Sequence, residues 1–351
     1  MTDSVSNLHR ASTARTNASV YTMPIESARH VRTWMQWPAH VAIYEEVYYL
    51  DLVRADLARL AQTIAQFEPV MMLARPDQAE RAQRRCGPTV QVVPMAVDDL
   101  WARDSGPSFV RHVSGETVVL DFQFSGWGRK QACDADAQVA RRVAEYLSVQ
   151  HLDAGFVGEG GGIESDGAGT ILTTESCLLN ANRNPGRTRE EINLAMAAGL
   201  GAQCVVWLPG MAGVDITDGH IDGIARIVSP GVVLFEKPDS AKDAVWAAMV
   251  EASISVLENS TDARGRSFEC LTVQSPRHVR SSEPEFLDAY CNYYVCNGAV
   301  IAPQFGDTRA DADAAAVLRE CYPGRDVVQL NVDRIYENGG GIHCATQQQP
   351  E

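Results

Sequence analysis

Apolar residues recur three and four positions apart in five segments of the chain, as they do in amphipathic helices. The predicted helices span residues 45–66, 135–147, 189–198, 241–257 and 310–322. Short β-rich runs lie between them and predict strands over residues 70–73, 90–93, 117–122, 169–173, 204–208, 231–235, 268–272, 298–302 and 326–330. Several of these runs are apolar throughout, which is typical of strands buried on both faces.

The alternation of predicted strands and helices along the whole chain indicates an α/β fold. No linker rich in proline or serine and no block of charge divides the sequence, so we predict one domain over residues 23–351. Residues 1–22 are predicted to form a flexible tail outside that domain. An outline of strand, glycine-containing loop, strand and helix recurs at wide intervals, but no repeat is visible at the level of residues.

Composition narrows the class of protein. The chain has 351 residues, of which 45% are apolar and 21% charged, so it has the usage of a globular protein and not that of a disordered one. A formal net charge of −15 disfavours binding to nucleic acid or to an anionic membrane. No apolar run approaches the roughly 20 residues that cross a bilayer.

The cysteines indicate the compartment. There are nine, an odd number, and none are paired as C-x-x-C. Residues 1–20 contain no apolar segment of the kind found in secretory signals, so we expect a reduced protein of the cytoplasm. A transit peptide remains an alternative reading of those first residues.

Several common chemistries are excluded by their motifs. The sequence contains no G-x-x-x-x-G-K-[ST] phosphate loop, no H-E-x-x-H metal helix and no G-x-S-x-G nucleophile elbow. The glycines at 158, 160, 161 and 162 do not complete the G-x-G-x-x-G fingerprint of a dinucleotide site. A dinucleotide site of the Rossmann type is therefore not predicted.

Five short stretches combine glycine with a residue type used in catalysis, at residues 101–107, 158–163, 218–222, 303–307 and 338–348. Cys344 follows three glycines and precedes polar residues, so we predict that it is exposed in a pocket. The other eight cysteines are interpreted as small buried hydrophobic residues. His220, in a Gly-His-x-Asp frame, is the candidate base for a Cys344 nucleophile.

Three carboxylates complete the candidate set. Asp222 lies two residues after His220, so both side chains would point to one face of an extended segment. Glu159 stands among four glycines, where a charged side chain indicates a ligand or a partner. Asp104 is either a site residue or part of an Asp-Ser-Gly-Pro turn, and His220 with Asp222 could simply be a salt-bridged loop pair. Asp307 is left out as a turn residue.

This set of residue types suits a planar cation. A guanidinium presents five N–H donors in a fixed fork, which carboxylates match in a bidentate manner. Its central carbon becomes open to attack by a thiolate when the charge is held in place. His343, beside the thiol, is interpreted as structural.

Several motifs, in order, resemble those of the agmatine deiminases, a family of the peptidyl-arginine deiminase-like branch of the guanidino-group-modifying (pentein) superfamily. The resemblance runs from residue 23 to residue 350 and rests on Thr-Trp-Met-Gln-Trp-Pro at 33–38, Trp-Ala-Arg-Asp-Ser-Gly-Pro at 101–107, Leu-Thr-Thr-Glu-Ser-Cys-Leu-Leu-Asn-Ala-Asn-Arg-Asn-Pro at 172–185, Val-Trp-Leu-Pro at 206–209, Gly-His-Ile-Asp at 219–222, Asn-Gly-Ala-Val-Ile-Ala-Pro-Gln-Phe-Gly-Asp at 297–307 and Gly-Gly-Gly-Ile-His-Cys-Ala-Thr-Gln-Gln-Gln-Pro at 339–350.

The resemblance implies a fold and a reaction. The fold would be a five-bladed α/β propeller of ββαβ units around a pseudo-fivefold axis, with the site at its centre. The reaction would be hydrolysis of a guanidino group to a ureido group and ammonia, without metal or cofactor, most simply of agmatine to N-carbamoylputrescine. A homodimer or larger homo-oligomer is also implied.

The resemblance also assigns roles to the candidate residues. Cys344 would be the nucleophile and His220 the general acid and base. Asp104 and Asp222 would hold the guanidinium nitrogens, while Glu159 would orient the histidine and help to hold the cation. Trp101, in the first of the catalytic motifs, is a further candidate for binding substrate.

The chain departs from the family pattern at several positions. Around residues 23–30 an aromatic residue and an acid of a loop that helps to close the family's site are replaced by Ser27 and Ala28, and Arg29 is added. The usual Ser-Ile-His after the glycines becomes 162–164, Gly-Ile-Glu. The acidic run before Gly-His-x-Asp is broken to Val-Asp-Ile-Thr-Asp at 214–218, Gly223 replaces an Asn, and Gly341 replaces another.

Three alternatives stay open at the level of sequence. The enzyme could act on a different alkylguanidine, or it could be an amidinotransferase that passes the amidino group to an amine. The third is a guanidine-binding protein without turnover, which retention of both Cys344 and His220 disfavours.

Overall fold

The computed structural model describes residues 19–351. Most of the predicted tail, residues 1–18, therefore lies outside the described residues. The rest of that tail contains a short strand, Tyr21–Thr22, which pairs with residues 111–112. Ordered structure thus begins before the predicted domain boundary at residue 23.

The strands are short and lie at intervals along the whole described chain: β1 Tyr21–Thr22, β2 His30–Gln36, β3 Val70–Ala74, β4 Val90–Pro94, β5 Ser108–His112, β6 Thr117–Asp121, β7 His151–Asp153, β8 Glu164–Ser165, β9 Thr170–Thr174, β10 Cys204–Leu208, β11 Ala225–Ser229, β12 Val232–Lys237, β13 Glu269–Gln274, β14 Tyr294–Cys296, β15 Ala299–Pro303, β16 Asp326–Leu330 and β17 Gln347–Pro350. Five of them, β3, β8, β9, β14 and β15, are buried at every position. In β3 and β15 this burial agrees with their continuously apolar sequences.

Helices alternate with these strands: α1 Val41–Tyr44, α2 Val47–Ile64, α3 Ala79–Cys86, α4 Ala102–Ser105, α5 Gly126–Arg129, α6 Val139–Leu147, α7 Glu175–Leu178, α8 Arg189–Leu200, α9 Ala244–Glu258, α10 Thr308–Cys321 and α11 Asp333–Tyr336. The five long ones, α2, α6, α8, α9 and α10, confirm the helices predicted from apolar periodicity. A capping box at Thr188 and Glu191 begins α8, and the Asp307 side chain caps α10, as its interpretation as a turn residue suggests.

The strands form five separate sheets with one recurring topology. The sheet orders are β17-β2-β3-β4, β1-β5-β6-β7, β10-β9-β8, β11-β12-β13 and β14-β15-β16. In each, one strand (β2, β6, β9, β12 or β15) lies between an antiparallel neighbour and a parallel neighbour. Helical chain connects that strand to its parallel neighbour, so the ββαβ unit occurs five times without a repeat of residues.

The two ends of the described chain meet in one sheet. Strand β17 pairs antiparallel with β2, which places Gln347 opposite Trp34. The chain thereby brings the segment just before β17, which contains Cys344, back to the segments that precede the other sheets. Together the elements make a mixed α/β fold, and no helix within residues 19–351 has the length and apolar character to cross a membrane.

Candidate active site

Every predicted site residue lies just before the first strand of a ββαβ unit. Asp104 is in α4, ahead of β5, and Glu159 precedes a 3-10 turn and β8. His220 and Asp222 lie at the start of another 3-10 turn, ahead of β11, and Cys344 precedes β17. The shared topology of the units therefore brings together residues that are far apart in the sequence.

Gly161 is the point on which three of these side chains converge. A Cβ atom added there would lie 2.7 Å from His220 Nδ1, 2.8 Å from Asp104 Oδ1 and 3.0 Å from Asp222 Oδ2. The Gly161 N–H also donates to Asp104 Oδ1 at 3.0 Å. Any side chain at position 161 would collide with these charged groups, so only glycine fits there. The glycine run thus lets the backbone approach the three side chains closely.

Cys344 lies at the wall of a cavity and is only 8% exposed. Its sulfur is 3.4 Å from Asp222 Oδ2 and 3.2 Å from Asn292 Nδ2. Burial, together with the negative charges of Asp222 and Asp104, raises the pKa of the Cys344 thiol well above its usual value. Cys344 lines a cavity as predicted, but it is buried, so the prediction that it is exposed was wrong. The raised pKa makes the thiol neutral.

The cavity beside Cys344 has a volume of about 390 Å³. Aromatic and aliphatic side chains form part of its wall, and carboxylates form another part, whereas no Lys or Arg of the described chain lines it. The lining side chains that matter here are Ile43, Tyr44, Trp101, Trp127, Val214, Ile216, Asp99, Asp104, Asp215, Glu285, Glu337 and Cys344. Asp222, His220 and Glu159 are buried and lie beyond this lining.

His220 and Glu159 form a buried ion pair. His220 Nε2 lies 3.1 Å from Glu159 Oε2, while Nδ1 is buried without a hydrogen-bond partner in the described chain and faces Asp104 Oδ1 at 3.7 Å. Burial opposes the charge on the imidazole, but the carboxylates around it, Asp104 first, raise the pKa of His220 well above its usual value. The histidine therefore carries a proton.

Asp104 and Asp222 differ in their electrostatic environment. Asp104 accepts a hydrogen bond from Trp127 Nε1 at 2.9 Å, and burial raises the pKa of Asp104, with the charges of Asp222 and Glu159 adding to the effect. Burial alone would raise the pKa of Asp222, but the hydrogen bond and charge of His343 lower it to about 2. Asp222 is therefore the more firmly ionised of the two.

His343 is held by two carboxylates, which supports its interpretation as structural. Its Nδ1 lies 2.7 Å from Asp222 Oδ2 and its Nε2 lies 2.7 Å from Glu26 Oε2. Glu26 in turn accepts from Arg226 at 2.7 Å and is buried. This chain of charged groups fixes the position of the Asp222 carboxylate. In the sequence, Glu26 and Arg226 are recognisable only as charged residues near apolar runs.

Arg183 is a second site residue that sequence reasoning missed. Its side chain is fully buried, and its Nε lies 2.9 Å from both carboxylate oxygens of Glu159. Its Nη1 donates to Asp218 Oδ2 at 2.8 Å. Burial would raise the pKa of Glu159, but the hydrogen bond from His220 and the charge of Arg183 hold it below its usual value. The Asn-Arg-Asn-Pro motif was the available signal.

Within residues 19–351, two groups of donor atoms have the residue types and spacing of metal ligands. Glu159, Cys177 and His220 form one, and Glu26, Glu164 and His343 form the other, each with its atoms within 4.8 Å. The carboxylates of both groups already bind buried guanidinium groups, Arg183 in the first and Arg226 in the second. A second cation would be repelled at both places, so neither donor set suits a metal.

The eight remaining cysteines do not all follow the prediction. Cys86, Cys177, Cys291 and Cys296 are buried as expected, but the other four, Cys133, Cys204, Cys270 and Cys321, are partly exposed, so that part of the prediction was wrong. Cys204, Cys270 and Cys321 lie at or near the ends of β10, β13 and α10, and Cys133 lies in the loop after α5, where a small thiol is tolerated. Only Cys344 lines the cavity.

The N-terminal loop at residues 23–30 does not line this cavity. Ser27 and Arg29 line a separate, open depression together with Asn297 and Arg325. Arg29 is exposed and pairs with Glu351 at 2.7 Å. Of the departures from the family pattern, the broken acidic run lines the cavity with residues 214–217, and Val214 is exposed there.

Trp101 lies in the cavity wall, packed on backbone. A Cβ atom at Gly340 would lie 2.4 Å from the Trp101 ring, so the glycine allows the indole to lie against the loop that leads to Cys344. Trp101 is 7% exposed, and its ring forms part of the apolar surface near the thiol. This placement allows the ring to contact a ligand in the cavity.

Comparison with known proteins places this geometry in a family. Residues 22–350 match the family described as Porphyromonas-type peptidyl-arginine deiminase. The sequence is 38% identical to an agmatine deiminase of Pseudomonas fluorescens over 99% of both chains, and 37% identical to one of Stutzerimonas stutzeri over 94% of this chain and 95% of the other. The solved agmatine deiminase of Enterococcus faecalis has a TM-score of 0.84 and 28% identity, covering 95% of this chain and 96% of that one.

Proposed function

The chain belongs to the Porphyromonas-type peptidyl-arginine deiminase family, and on this premise we propose that it hydrolyses agmatine to N-carbamoylputrescine and ammonia. The full-length similarity to proteins named agmatine deiminase supports the reaction and the substrate. The observation that carries the proposal is the cavity. It has a cysteine sulfur in its wall, five carboxylates in its lining and no basic side chain of the described residues to oppose a cation.

The first step is formation of the thiolate. Without substrate, the negative charges of Asp222 and Asp104 keep the Cys344 proton on sulfur. A guanidinium bound beside these carboxylates compensates their charge, so the thiol releases its proton to solvent water when substrate binds. The thiolate then attacks the central carbon of the guanidinium, whose nitrogens Asp104 and Asp222 hold, and a tetrahedral adduct forms.

Proton transfer is the task of His220. Protonated at rest, it gives its proton to the departing nitrogen, which leaves as ammonia, and a thiouronium remains on Cys344. The neutral imidazole then removes a proton from water, and the resulting hydroxide attacks the thiouronium carbon. Collapse of this second adduct breaks the C–S bond and releases the ureido product and the thiolate, while the hydroxyl proton of the adduct passes to solvent. Glu159, fixed by Arg183, keeps the ring oriented through both proton transfers.

The cavity wall supports a substrate with a second cation and an alkyl linker. Tyr44, Ile43 and Ile216 provide apolar surface, on which methylene groups of a linker can pack. Glu285 is exposed at this cavity and makes no hydrogen bond or ion pair within residues 19–351, which leaves its carboxylate available to an ammonium group. A substrate with a carboxylate at its far end, such as arginine, would meet repulsion there.

The larger organisation is also part of the proposal. We propose that the five ββαβ sheets are the blades of a propeller with pseudo-fivefold symmetry and that residues 23–351 form one catalytic domain. The location of each candidate residue just ahead of a first strand supports this arrangement. We further propose a homo-oligomer in the cytoplasm that binds small cationic guanidino compounds.

A panel of guanidines tests the proposal. Ammonia and ureido product are measured with agmatine, arginine and longer alkylguanidines, without any acceptor amine. We expect kcat/KM for agmatine to exceed that for arginine by about 100-fold or more, since a like charge in the cavity costs several kcal/mol. Cys344→Ser should give no product with any of them.

Two results would contradict the proposal. Product that forms only after an amine is added would indicate an amidinotransferase. Full activity of Cys344→Ser would exclude the thiol mechanism. Glu285→Gln is the matched variant for the tail, and we expect it to narrow the gap between agmatine and arginine by raising KM for agmatine.

A further inference from the structure

The ββαβ unit that begins with β14 contributes to the site a polar residue, Asn292, that no motif indicated. Asn292 lies ahead of β14, the first strand of that unit, in the position that candidate residues occupy in the other units. Its side chain is fully buried. The surrounding Tyr290, Tyr293 and Tyr294 are also fully buried, so the segment is a rigid part of the core.

Hydrogen bonds fix the orientation of the Asn292 amide. The backbone N–H of His343 points at Oδ1 at 3.0 Å, and that of Cys344 points at the same oxygen at 3.5 Å. If the amide were turned over, its NH₂ group would face these two donors without an acceptor between them. The oxygen must therefore face the backbone, and the NH₂ group must face the sulfur of Cys344, which lies 3.2 Å from Nδ2.

This amide is the one side-chain donor at the sulfur among the described residues. The nearest charged group, Asp222 Oδ2 at 3.4 Å, can only accept while it is ionised, and it therefore favours the neutral thiol. A thiolate gains from N–H donors and loses from carboxylates. The backbone of Gly341 and the amide of Asn292 both lower the pKa of Cys344 against the effects of burial and of the two aspartates.

We propose that Asn292 is a catalytic residue that donates a hydrogen bond from Nδ2 to the Cys344 thiolate while its Oδ1 holds the loop that carries this cysteine. The inference rests on the proposed thiol mechanism. It assigns to the β14 unit the role of stabilising the nucleophile Cys344, which precedes β17. The other candidate residues hold the cation and transfer protons.

Gly341 makes room for this contact. A Cβ atom at position 341 would lie 2.4 Å from Asn292 Oδ1 and 2.4 Å from Tyr336 Cε1, so any larger residue there would displace the amide or the ring. Tyr336 also fixes the segment, because its hydroxyl donates to the Asn292 carbonyl at 2.9 Å. The absence of a side chain at position 341 is therefore what allows the Asn292 amide to lie beside Cys344.

The groups that face Cys344 from all sides are few. Asp222 and Asp104 are the carboxylates that act on the sulfur, and His343 is its neighbour in sequence, bonded to Asp222. Tyr336 lies on the remaining side, close enough that a thiolate would raise its pKa further. None of these groups places a positive charge beside the sulfur. A thiolate at Cys344 is therefore stabilised by the amide donors of Gly341 and Asn292.

Alkylation of Cys344 by iodoacetamide tests the inference without turnover. The rate is followed against pH in the full chain, and peptide mapping separates Cys344 from the other eight cysteines. We expect Asn292→Ala and Asn292→Asp each to raise the midpoint of the pH–rate profile by about one pH unit or more, because a hydrogen bond to a charged group is lost. Asn297→Asp, the same change at a half-buried loop asparagine outside the cavity lining, should leave it unchanged.

The comparison of variants separates the two roles of the amide. Asn292→Asp keeps an oxygen for the backbone donors and removes the donor to sulfur, so a merely structural asparagine would tolerate it better than Asn292→Ala. An unchanged midpoint in Asn292→Ala would overturn the inference, even if the added charge of Asn292→Asp shifted it. Should Asn292→Ala fail to fold, Gly341→Ala, which pushes the amide from its place, must show the same rise, and an unchanged midpoint there would overturn it equally.

This experiment can fail independently of the proposed function. Alkylation needs only the thiol, so its pH profile is interpretable whether or not agmatine is the substrate. An active Cys344→Ser enzyme would remove the proposed function and leave the alkylation profiles standing as a property of the thiol.

Discussion

At the scale of single residues, the site depends on a glycine as much as on its charged side chains. Gly161 has no space for a Cβ atom, because His220, Asp104 and Asp222 all approach the same point. A methyl group at position 161 must displace at least one of these three side chains, and each of the three has a proposed role in the reaction. The absence of a side chain at position 161 is therefore a requirement of the site.

We expect Gly161→Ala to lower kcat by about 100-fold or more, since displacements of about 1 Å at reacting groups cost that much. Gly223→Ala is the matched control, because the nearest atom to a Cβ there is Leu287 Cδ1 at 3.8 Å. Steady-state kinetics with agmatine measure the effect, and thermal unfolding checks that both variants fold. Equal activity of Gly161→Ala and wild type would show that the three side chains are not held where the structure has them.

The residues of the site were only partly readable from sequence. Cys344, His220 and Glu159 stand beside glycines, which gave them a visible signal. Arg183 and Asn292 act by contacts to those residues from segments without such a signal, and their burial against charged partners appears only in the folded chain. Their roles depend on distance and not on residue type.

At the scale of elements, one buried carboxyl supports the segment that carries Asn292. Glu236 on β12 accepts hydrogen bonds from Ser275 Oγ at 2.7 Å and from the backbone N–H of Cys291 at 2.9 Å. Burial raises the pKa of Glu236 to about 8. The carboxyl thus stays protonated in the fold at pH values where the unfolded chain has released the proton.

The stabilisation from this raised pKa is complete below the ordinary value of 4.5 and is lost as the pH rises through about 8. Glu236→Gln removes the titration and keeps an oxygen for Cys291. We therefore expect the variant to gain stability relative to wild type between about pH 5 and pH 8, by up to roughly 1.4 kcal/mol for each pH unit. Urea unfolding across this range measures it.

Glu269→Gln is the control for that series, since Glu269 is exposed on the neighbouring strand β13. A difference between Glu236→Gln and wild type that does not change with pH would mean that Glu236 titrates like an exposed acid. The hydrogen bonds would then support the segment without any contribution from a neutral carboxyl.

The helices and strands also show which kinds of element a sequence pattern does not predict. The five long helices, α2, α6, α8, α9 and α10, and four of the five central strands, β6, β9, β12 and β15, were predicted from their apolar patterns. Strands β8 and β14, with two and three residues, are too short to show a pattern, and β1, β2, β5, β7, β11 and β17 were also not predicted. Strand β2 has seven residues, but polar positions such as Arg32 and Gln36 interrupt its apolar run. Helix α3 was missed because its sequence, Ala-Glu-Arg-Ala-Gln-Arg-Arg-Cys, is mostly polar.

At the scale of the whole molecule, the short first strands that the patterns missed are the ones that build the site. Each of them follows a segment that carries a polar residue, and the closure of β17 on β2 brings the last of these segments to the first sheet. Sequence reasoning reached the fivefold repetition only through family resemblance, because the units share topology and not residues. Convergence of distant segments is a property of the complete fold.

The proposed mechanism requires a covalent bond between Cys344 and the guanidinium carbon. Acid quenching of the enzyme during turnover of agmatine would trap the thiouronium, so mass spectrometry of the quenched enzyme tests this requirement. We predict a mass increase equal to agmatine less ammonia on the peptide that contains Cys344, and none in Cys344→Ser. An unmodified Cys344 peptide during turnover, or the same adduct on Cys177, would contradict the mechanism.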